Sequence, residues 1–338
     1  MPRRHRRRTL FTGTLVPNSF NNKRMMTGIF LRKYLFKRMA KYIYFPIAVC
    51  ILAACETPIP IQLPKLEQTT IIEGWIETGK TATVVISLSR PYYSKTTVDS
   101  ILSSIQTNAQ VTISDSNTGE SEQLHLGTTS EHIYGILGRA YIGSTIKGVA
   151  GHTYQLHIEN NGKIYDATTR IPAHTVQIDS MYFNRPHSEE SFIRILFTDP
   201  ADEFNCYRFM TKVKDDDPVF TQVGIGTFDD ITFNGLQLNF ELTRMPYSNI
   251  ISIYYDNLDD VKSSAMYPKG STIYVKSCAI DEATKNFWFA LQIDLSMGSN
   301  LFTTPGTYRT NIKELNGGSV TGIWSGYNAR YDTLEFAK

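Results

Sequence analysis

Short runs of apolar and β-favouring residues alternate with polar turns along most of the chain. Residues 69–77 and 82–89 are rich in Ile, Val and Thr, and Gly79-Lys80 separates the two runs. Runs of this length and composition are typical of β-strands. The pattern therefore predicts a β-rich protein from about residue 66 onward.

Two turn sequences predict β-hairpins in the first half of this region. Asn117-Thr-Gly119 and Asn160-Asn-Gly162 each lie between two alternating runs, and Asn-Gly pairs favour tight hairpin turns. The strands predicted around them span 111–115 and 123–126 for the first hairpin, and 153–158 and 163–168 for the second.

The second half continues with strands and contains one clear helical pattern. Asp281 can cap a helix over 281–297, in which Phe287, Trp288, Leu291 and Leu295 share one face. Gly298 is a plausible stop. Further strands are predicted at 191–198, 205–210, 236–242, 250–255 and 272–277, and two more between 320 and 336, on either side of Ser325-Gly326.

The spacing of these elements predicts two domains. Short strands every eight to twelve residues suggest an immunoglobulin-like β-sandwich over 66–173, with Tyr154 resembling the tyrosine-bearing strand of such domains. A second β-rich domain with one amphipathic helix is predicted over 174–338. The fold class is mainly β.

Charge is distributed unevenly along the chain. Residues 1–54 hold 12 of the 34 Lys and Arg residues and none of the 32 acidic ones, so the remaining chain has a net charge of −10. Nucleic-acid binding needs clustered positive charge on the folded domain. The acidic remainder therefore argues against a nucleic-acid partner.

The N-terminal region predicts a lipoprotein signal. Basic residues precede a 13-residue apolar run, 42–54, which is too short to span the roughly 30 Å hydrocarbon core as a helix. The run ends in Leu52-Ala53-Ala54-Cys55, which resembles a bacterial lipobox. We expect lipid on Cys55, with a plain signal peptide or an organelle transit peptide as alternatives.

Two segments flank this signal. Met39 begins a complete signal by itself, so residues 1–38 are expected to be over-annotation, with Met25 and Met26 as other possible starts. Residues 55–65 contain three prolines and predict an extended, semi-rigid tether.

A series of segments follows the lipobox in a characteristic order. They include IIEGWIETG, VVISLSRPYYS, GHTYQLHIENNGKIYDATTRIP, FTDPADEFNCYRF and NGGSVTGIWSGY. In this order they resemble one family of Bacteroidota lipoproteins, catalogued as domain of unknown function 4249. Cys206 departs from the family's pattern, where an aromatic residue is more common. The resemblance implies an outer-membrane location and a TonB-dependent receptor as partner, with no established activity.

The search for catalytic and metal-binding motifs gives no strong candidate. The seven histidines show no metal-ligand spacing, so no metal and no cofactor is expected. Ser144-Thr-Ile-Lys147 fits an SxxK pattern, but lies in a β-rich stretch where that motif requires a helix. Asp229-Asp230 could contribute to a binding site, although a solvated turn is the more ordinary interpretation. We therefore expect a protein that is not an enzyme.

Cysteines and aromatic residues supply the remaining candidates. Cys206 and Cys278 could form a disulfide in an oxidising compartment, with free buried thiols as the default. Tyr92-Tyr93 is the aromatic pair most expected to be exposed and to bind a partner. The tryptophans Trp75, Trp288 and Trp324 are expected in the core.

Together these features favour a non-enzymatic accessory lipoprotein of the outer membrane that contacts a TonB-dependent transporter or presents ligand to one. The alternative is a surface protein that binds glycans or peptides by itself, and an envelope hydrolase is a weaker third hypothesis. The face of the membrane on which the protein lies is left open.

Overall fold

A computed structural model describes residues 68–90, 97–133, 136–201, 203–245, 265–297 and 308–337. The predicted mainly β fold class is confirmed, with eighteen strands and two helices among these residues. Residues 66–338 form one compact unit. Within the described part of the chain, no helix has the length and hydrophobicity needed to cross a membrane.

One large sheet runs through the whole unit. It contains eight strands, and its centre is formed by a strand from each end of the unit. These two central strands pair in parallel, while the other pairs in the sheet are antiparallel. From one edge to the other, the order is β13 (Thr221–Asp229), β12 (Cys206–Val213), β16 (Thr272–Ile280), β18 (Val320–Glu335), β1 (Thr70–Glu77), β2 (Thr81–Leu88), β6 (Ile136–Lys147) and β5 (His125–Ile133).

A five-stranded sheet packs on one half of the large sheet and forms the first hydrophobic core. Trp324 of β18 is fully buried there, and its indole Nε1 donates to the carbonyl oxygen of Tyr154 over 3.1 Å. Both predicted hairpins are confirmed, and Asn161 and Gly162 have positive φ as a tight hairpin turn requires. The strand order is β17 (Ile312–Glu314), β8 (Lys163–Arg170), β7 (Thr153–Asn160), β3 (Gln110–Asp115) and β4 (Ser121–Gln123).

A three-stranded sheet covers the other half of the large sheet and forms the second core. This core is aromatic: Phe197 packs edge-on against Tyr207 and Phe240, and Phe209 stacks with Phe228. The strand order is β14 (Gln237–Leu242), β11 (Ile193–Thr198) and β9 (Ile178–Phe183), and a separate pair is formed by β10 (Glu190–Ser191) and β15 (Tyr267–Pro268).

The prediction of two strands between 320 and 336 is wrong, because β18 is one continuous 16-residue strand. Its glycines resemble turn signals in the sequence, yet they serve close packing. A side chain at Gly322 would collide with the carbonyl oxygen of Ile72, and one at Gly326 would lie 2.8 Å from the backbone of Arg170. Glycine lets the backbones approach at these positions.

The two helices differ in length and in how well the sequence predicts them. The five-residue helix α1 (Val98–Leu102) was not predicted; Thr97 and Ser100 form a capping box at its start. The helix α2 (Glu282–Met297) matches the predicted element. Asp281 caps it by accepting a hydrogen bond from the backbone N–H of Thr284 over 2.8 Å.

The large sheet contains strands from both sides of residues 173 and 174, where the sequence predicts a domain boundary. Strand β18 contributes Trp324 to the first core and Leu334 to the second. Between them, Asn328 donates hydrogen bonds to the carbonyl oxygens of Pro172 and His174 over 3.0 and 2.7 Å. The segment that joins the halves is therefore fixed to the strand they share.

Candidate functional site

The face of the large sheet opposite the two cores carries the most unusual cluster of side chains. Because neighbouring side chains on a strand alternate between faces, β12 places Arg208 on the side away from Tyr207 and Phe209. Strand β16 places Lys276 there, and β18 places Tyr327 and Tyr331. Charged and aromatic groups thus share this face with a third, smaller hydrophobic cluster, which includes Met210, Cys278 and Ile280.

Arg208 lies at the centre of this face. Its guanidinium stacks on the ring of Trp288, with 3.6 Å between Cζ and the ring centroid. Its Nη1 donates a hydrogen bond to the hydroxyl oxygen of Tyr327 over 2.6 Å. The residue is only 8% exposed, and no carboxylate among the described residues pairs with it. Arg208 is therefore a buried cation whose contacts are aromatic and neutral.

A second charged group on the same face is fully paired. Lys276 Nζ lies 2.6 Å from Glu77 Oε2, and Lys80 Nζ lies 3.0 Å from Glu77 Oε1. The hydroxyl of Tyr331 donates to Glu77 Oε1 over 2.5 Å. Burial alone would raise the pKa of Glu77, but Lys276 and these hydrogen bonds lower it below its usual value. Burial opposes the charge of Lys276 as well, and its negative partners nevertheless raise its pKa.

Helix α2 covers part of this face and is held there by polar contacts. Gln292 Oε1 accepts hydrogen bonds from the backbone N–H groups of Gly226 and Thr227 over 3.0 and 3.1 Å. Lys285 Nζ lies 2.8 Å from Asp229 Oδ2. Asp281 joins the start of the helix to β8 through the hydroxyl of Thr169, over 2.7 Å. These contacts fix the helix above the sheet and direct its apolar face inward.

The space between the sheet and the helix is a cavity of about 540 Å³. This volume lies within the range typical of small-molecule sites. Counting Glu77 beside it, the charged groups around the cavity are four cations and two carboxylates, a net charge of +2, whereas residues 55–338 together have a net charge of −10. The cations are Lys80, Arg208, Lys212 and Lys276, and the aromatic lining is Trp75, Phe220, Phe287, Trp288, Tyr327 and Tyr331.

Comparison with known families identifies the chain. Residues 56–332 match the family described as Domain of unknown function (DUF4249). The chain belongs to this family. The resemblance seen in the sequence is thereby confirmed, and the match begins at the residue that follows Cys55. A search of curated proteins finds no match.

Several predicted site residues of this DUF4249 protein lie outside the described residues. They are Leu52, Ala53, Ala54 and Cys55 of the lipobox, and Tyr92 and Tyr93 of the predicted exposed pair.

Asp229 and Asp230 are both described, and each has a structural contact. Asp229 pairs with Lys285 of helix α2. Asp230 is buried, and its Oδ2 accepts the backbone N–H of Asn205 over 2.8 Å. Burial, with a contribution from nearby Asp199, raises the pKa of Asp230. The two carboxylates thus hold the helix and a loop in place, outside the lining of the cavity.

Cys206 and Cys278 are free, buried thiols on neighbouring strands. Cys206 is paired in register with Ile280, and Cys278 with Arg208, so the two cysteines are diagonal neighbours. Diagonal positions in an antiparallel pair are about 7–8 Å apart, beyond the usual Cα separation in a disulfide. Burial raises the pKa of Cys206 to about 12 and that of Cys278 to about 11, which makes both thiols unreactive.

The remaining motif candidates have ordinary structural surroundings. Ser144 lies in strand β6 and not at the start of a helix, and its hydroxyl donates to Glu122 over 2.7 Å. His152 and His157 contact Asp115 and Asp166, each over 2.7 Å. No group of three potential metal ligands occurs among the residues that the structure describes.

Sequence reasoning missed the residues that form the cavity. The three tryptophans are expected in the core: Trp324 lies in the first core, Trp288 is buried, and Trp75 packs against a third hydrophobic cluster. Trp75 and Trp288 also line the cavity, which the sequence did not indicate. A usable signal was present in Cys206-Tyr-Arg-Phe-Met210, where one arginine interrupts an otherwise apolar run. A lone charge in a fully buried strand requires a partner or a ligand.

Proposed function

We propose that this DUF4249 protein is a lipid-anchored, non-enzymatic binding protein of the cell envelope, with the cavity beneath helix α2 as its ligand site. The observation that carries the proposal is the cavity itself. Its volume, its aromatic lining and its few fixed polar groups are the features that small-molecule sites share. The rigid attachment of the helix to β13 indicates a preformed site.

Ligand binding can be tested on protein extracted from its own membranes in a non-ionic detergent. Small molecules released on denaturation would be identified by mass spectrometry. Leu291 lines the cavity, so Leu291→Trp should fill it and reduce the released ligand. Phe289 is exposed on the same helix, and Phe289→Trp is the matched control. Equal ligand release from both variants, or none from the unsubstituted protein, would contradict the proposal.

The anchor is the second part of the proposal. It is supported by the basic leader, the short apolar run and the Leu52-Ala53-Ala54-Cys55 sequence. Lipid on Cys55 would hold the acidic domain at the outer membrane by its N-terminus. Cys55→Ser should move the protein from the membrane fraction to the soluble fraction and remove the mass of the lipid. A membrane-bound Cys55→Ser protein would argue against lipidation at this residue.

We propose a TonB-dependent outer-membrane receptor as the partner of the anchored protein. The anchored protein would deliver its ligand to this receptor. The support is the family resemblance together with a cavity suited to a small ligand. Affinity purification through a C-terminal tag should recover a β-barrel receptor in amounts close to those of the tagged protein. Recovery of the tagged protein alone under several growth conditions would count against this partner.

A further inference from the structure

The burial and the hydrogen bonds of Arg208 indicate which class of ligand the cavity binds. This inference rests on the proposed binding function, because it concerns the same cavity. Arg208 lines the cavity, is buried, and has one hydrogen bond to a described residue, the hydroxyl of Tyr327. A guanidinium has five N–H donors. Most of these donors therefore have no acceptor among the described residues.

An unpaired buried cation is energetically costly, and proteins generally supply a counter-charge. Lys276 shows the ordinary solution on the same face, since Glu77 lies 2.6 Å from it. Arg208 has no equivalent acid among the described residues. The cation–π contact with Trp288 stabilises the charge in part and leaves the edge of the guanidinium plane available.

The free edge of the guanidinium indicates the ligand chemistry. Its N–H groups are hydrogen-bond donors, so they suit an acceptor-rich group such as a carboxylate or a phosphate.

Much of the remaining lining is apolar. Trp75, Phe220 and Phe287 offer aromatic surface, and Met210 and Leu291 add aliphatic surface. Aromatic surfaces of this kind pack well against a planar apolar group.

We propose that the cavity binds an organic oxyanion with a flat apolar body, and that Arg208 binds the oxyanion. A carboxylate and a phosphate monoester share this chemistry. The Glu77 cluster beside the site pairs with Lys80 and Lys276, and Lys212 donates to the carbonyl oxygen of Pro218 over 2.7 Å. Arg208 is therefore the buried cation that is left to bind the ligand.

The test compares three probes of nearly equal size by isothermal titration calorimetry. They are 2-naphthoate, 2-naphthyl phosphate and the neutral 2-naphthamide. The full-length chain in a non-ionic detergent is titrated, with the heat of a detergent-only titration subtracted. Arg208→Gln removes the charge, and Lys313→Gln on the exposed surface of β17 is the control.

At least one oxyanion should bind about tenfold or more tightly than the amide, since charged hydrogen bonds contribute about 1.5–3 kcal/mol. Arg208→Gln should lower the affinity for the oxyanion towards that for the amide and so remove most of the preference. Amide binding that is still measurable would show that the cavity has stayed intact. Lys313→Gln should change neither the preference for the oxyanion nor the affinity for the amide. The oxyanion that gains more from Arg208 identifies the ligand's head group.

Two other results are informative in different ways. Equal binding of the amide and both oxyanions to the unsubstituted protein would overturn the oxyanion proposal and leave the binding function standing. This comparison needs no variant, so it holds even if Arg208→Gln does not fold. Binding of none of the three probes would contradict both the oxyanion proposal and a cavity open to flat apolar ligands.

Discussion

At the residue scale, buried charge in this protein follows two patterns. Glu77 and Lys276 neutralise each other, whereas Arg208 rests on aromatic rings and has no carboxylate among the described residues. The sequence could indicate that Arg208 is unusual, because it stands alone in an apolar run. It could not indicate the partners, because Trp288 and Tyr327 are about 80 and 120 residues away along the chain and are brought near by the sheet and the helix.

Glu122 gives the clearest residue-scale prediction. It is nearly buried and accepts hydrogen bonds from the backbone N–H groups of Ser144, Thr145 and Ile146 and from the Ser144 hydroxyl. Burial alone would raise the pKa of Glu122, but these hydrogen bonds lower it to about 2. Glu122→Gln should reduce the free energy of unfolding by about 2 kcal/mol at pH 7. Chemical denaturation would measure this.

The same prediction has a definite pH dependence. Because the pKa of Glu122 in the folded protein lies below its usual value of 4.5, its stabilisation is fully present above that pH and is lost as the pH falls towards 2. The difference in free energy of unfolding between the unsubstituted protein and Glu122→Gln should therefore become smaller as the pH falls from 4.5 to 2. Glu120→Gln, at an exposed neighbouring position, should have little effect at either pH. A Glu122→Gln difference that stays constant from pH 7 to pH 2 would disprove the assignment.

At the element scale, local signals predicted the hairpins and the helix, and failed where pairing is long-range. The Asn161-Gly162 turn and the Asp281 cap depend on neighbouring residues, so the sequence contains their full cause. Strand β18 pairs in parallel with β1, which lies about 250 residues earlier. The glycines of β18 are required because β1 and β8 pack closely against them. The local sequence does not show these distant strands, so it predicts a turn at Ser325-Gly326 instead.

Substitution of Gly322 tests whether the glycines of β18 are required for its pairing with β1. It has a φ of 118°, and a side chain there would collide with the backbone of Ile72. Gly322→Ala should prevent the pairing of β18 with β1 and leave the chain largely insoluble. Gly317 also has a positive φ, but no atom lies within 4 Å of its missing side chain. Gly317→Ala should cost only about 1 kcal/mol. Thermal unfolding that ranks the two variants equally would contradict this account of β18.

At the scale of the whole molecule, two cores share one sheet. The sequence predicts two domains meeting at residues 173 and 174, and the first core contains residues from both sides of that point, including Ile312 and Trp324. The shared strand β18 could not be inferred, since its pairing with both halves is a property of the finished fold. The cavity lies on the opposite face of this sheet, so its lining comes from both halves of the chain.

A prediction about fragments follows from this arrangement. A fragment of residues 66–173 lacks Ile312 and Trp324, two buried members of the first core. We expect it to remain unfolded in isolation, while the complete chain unfolds in a single transition. Amide chemical shifts of the fragment would be poorly dispersed in an NMR spectrum. A well-dispersed spectrum from residues 66–173 would show that the first half is an independent domain.

The central claim is that the cavity beneath helix α2 holds an organic oxyanion at Arg208. A crystal structure of the protein with 2-naphthoate tests it most directly. The account predicts the carboxylate within about 3 Å of the guanidinium nitrogens of Arg208, with the rings against Trp75 or Trp288. Naphthoate bound elsewhere, or bound in the cavity with its carboxylate turned away from Arg208, would contradict the claim.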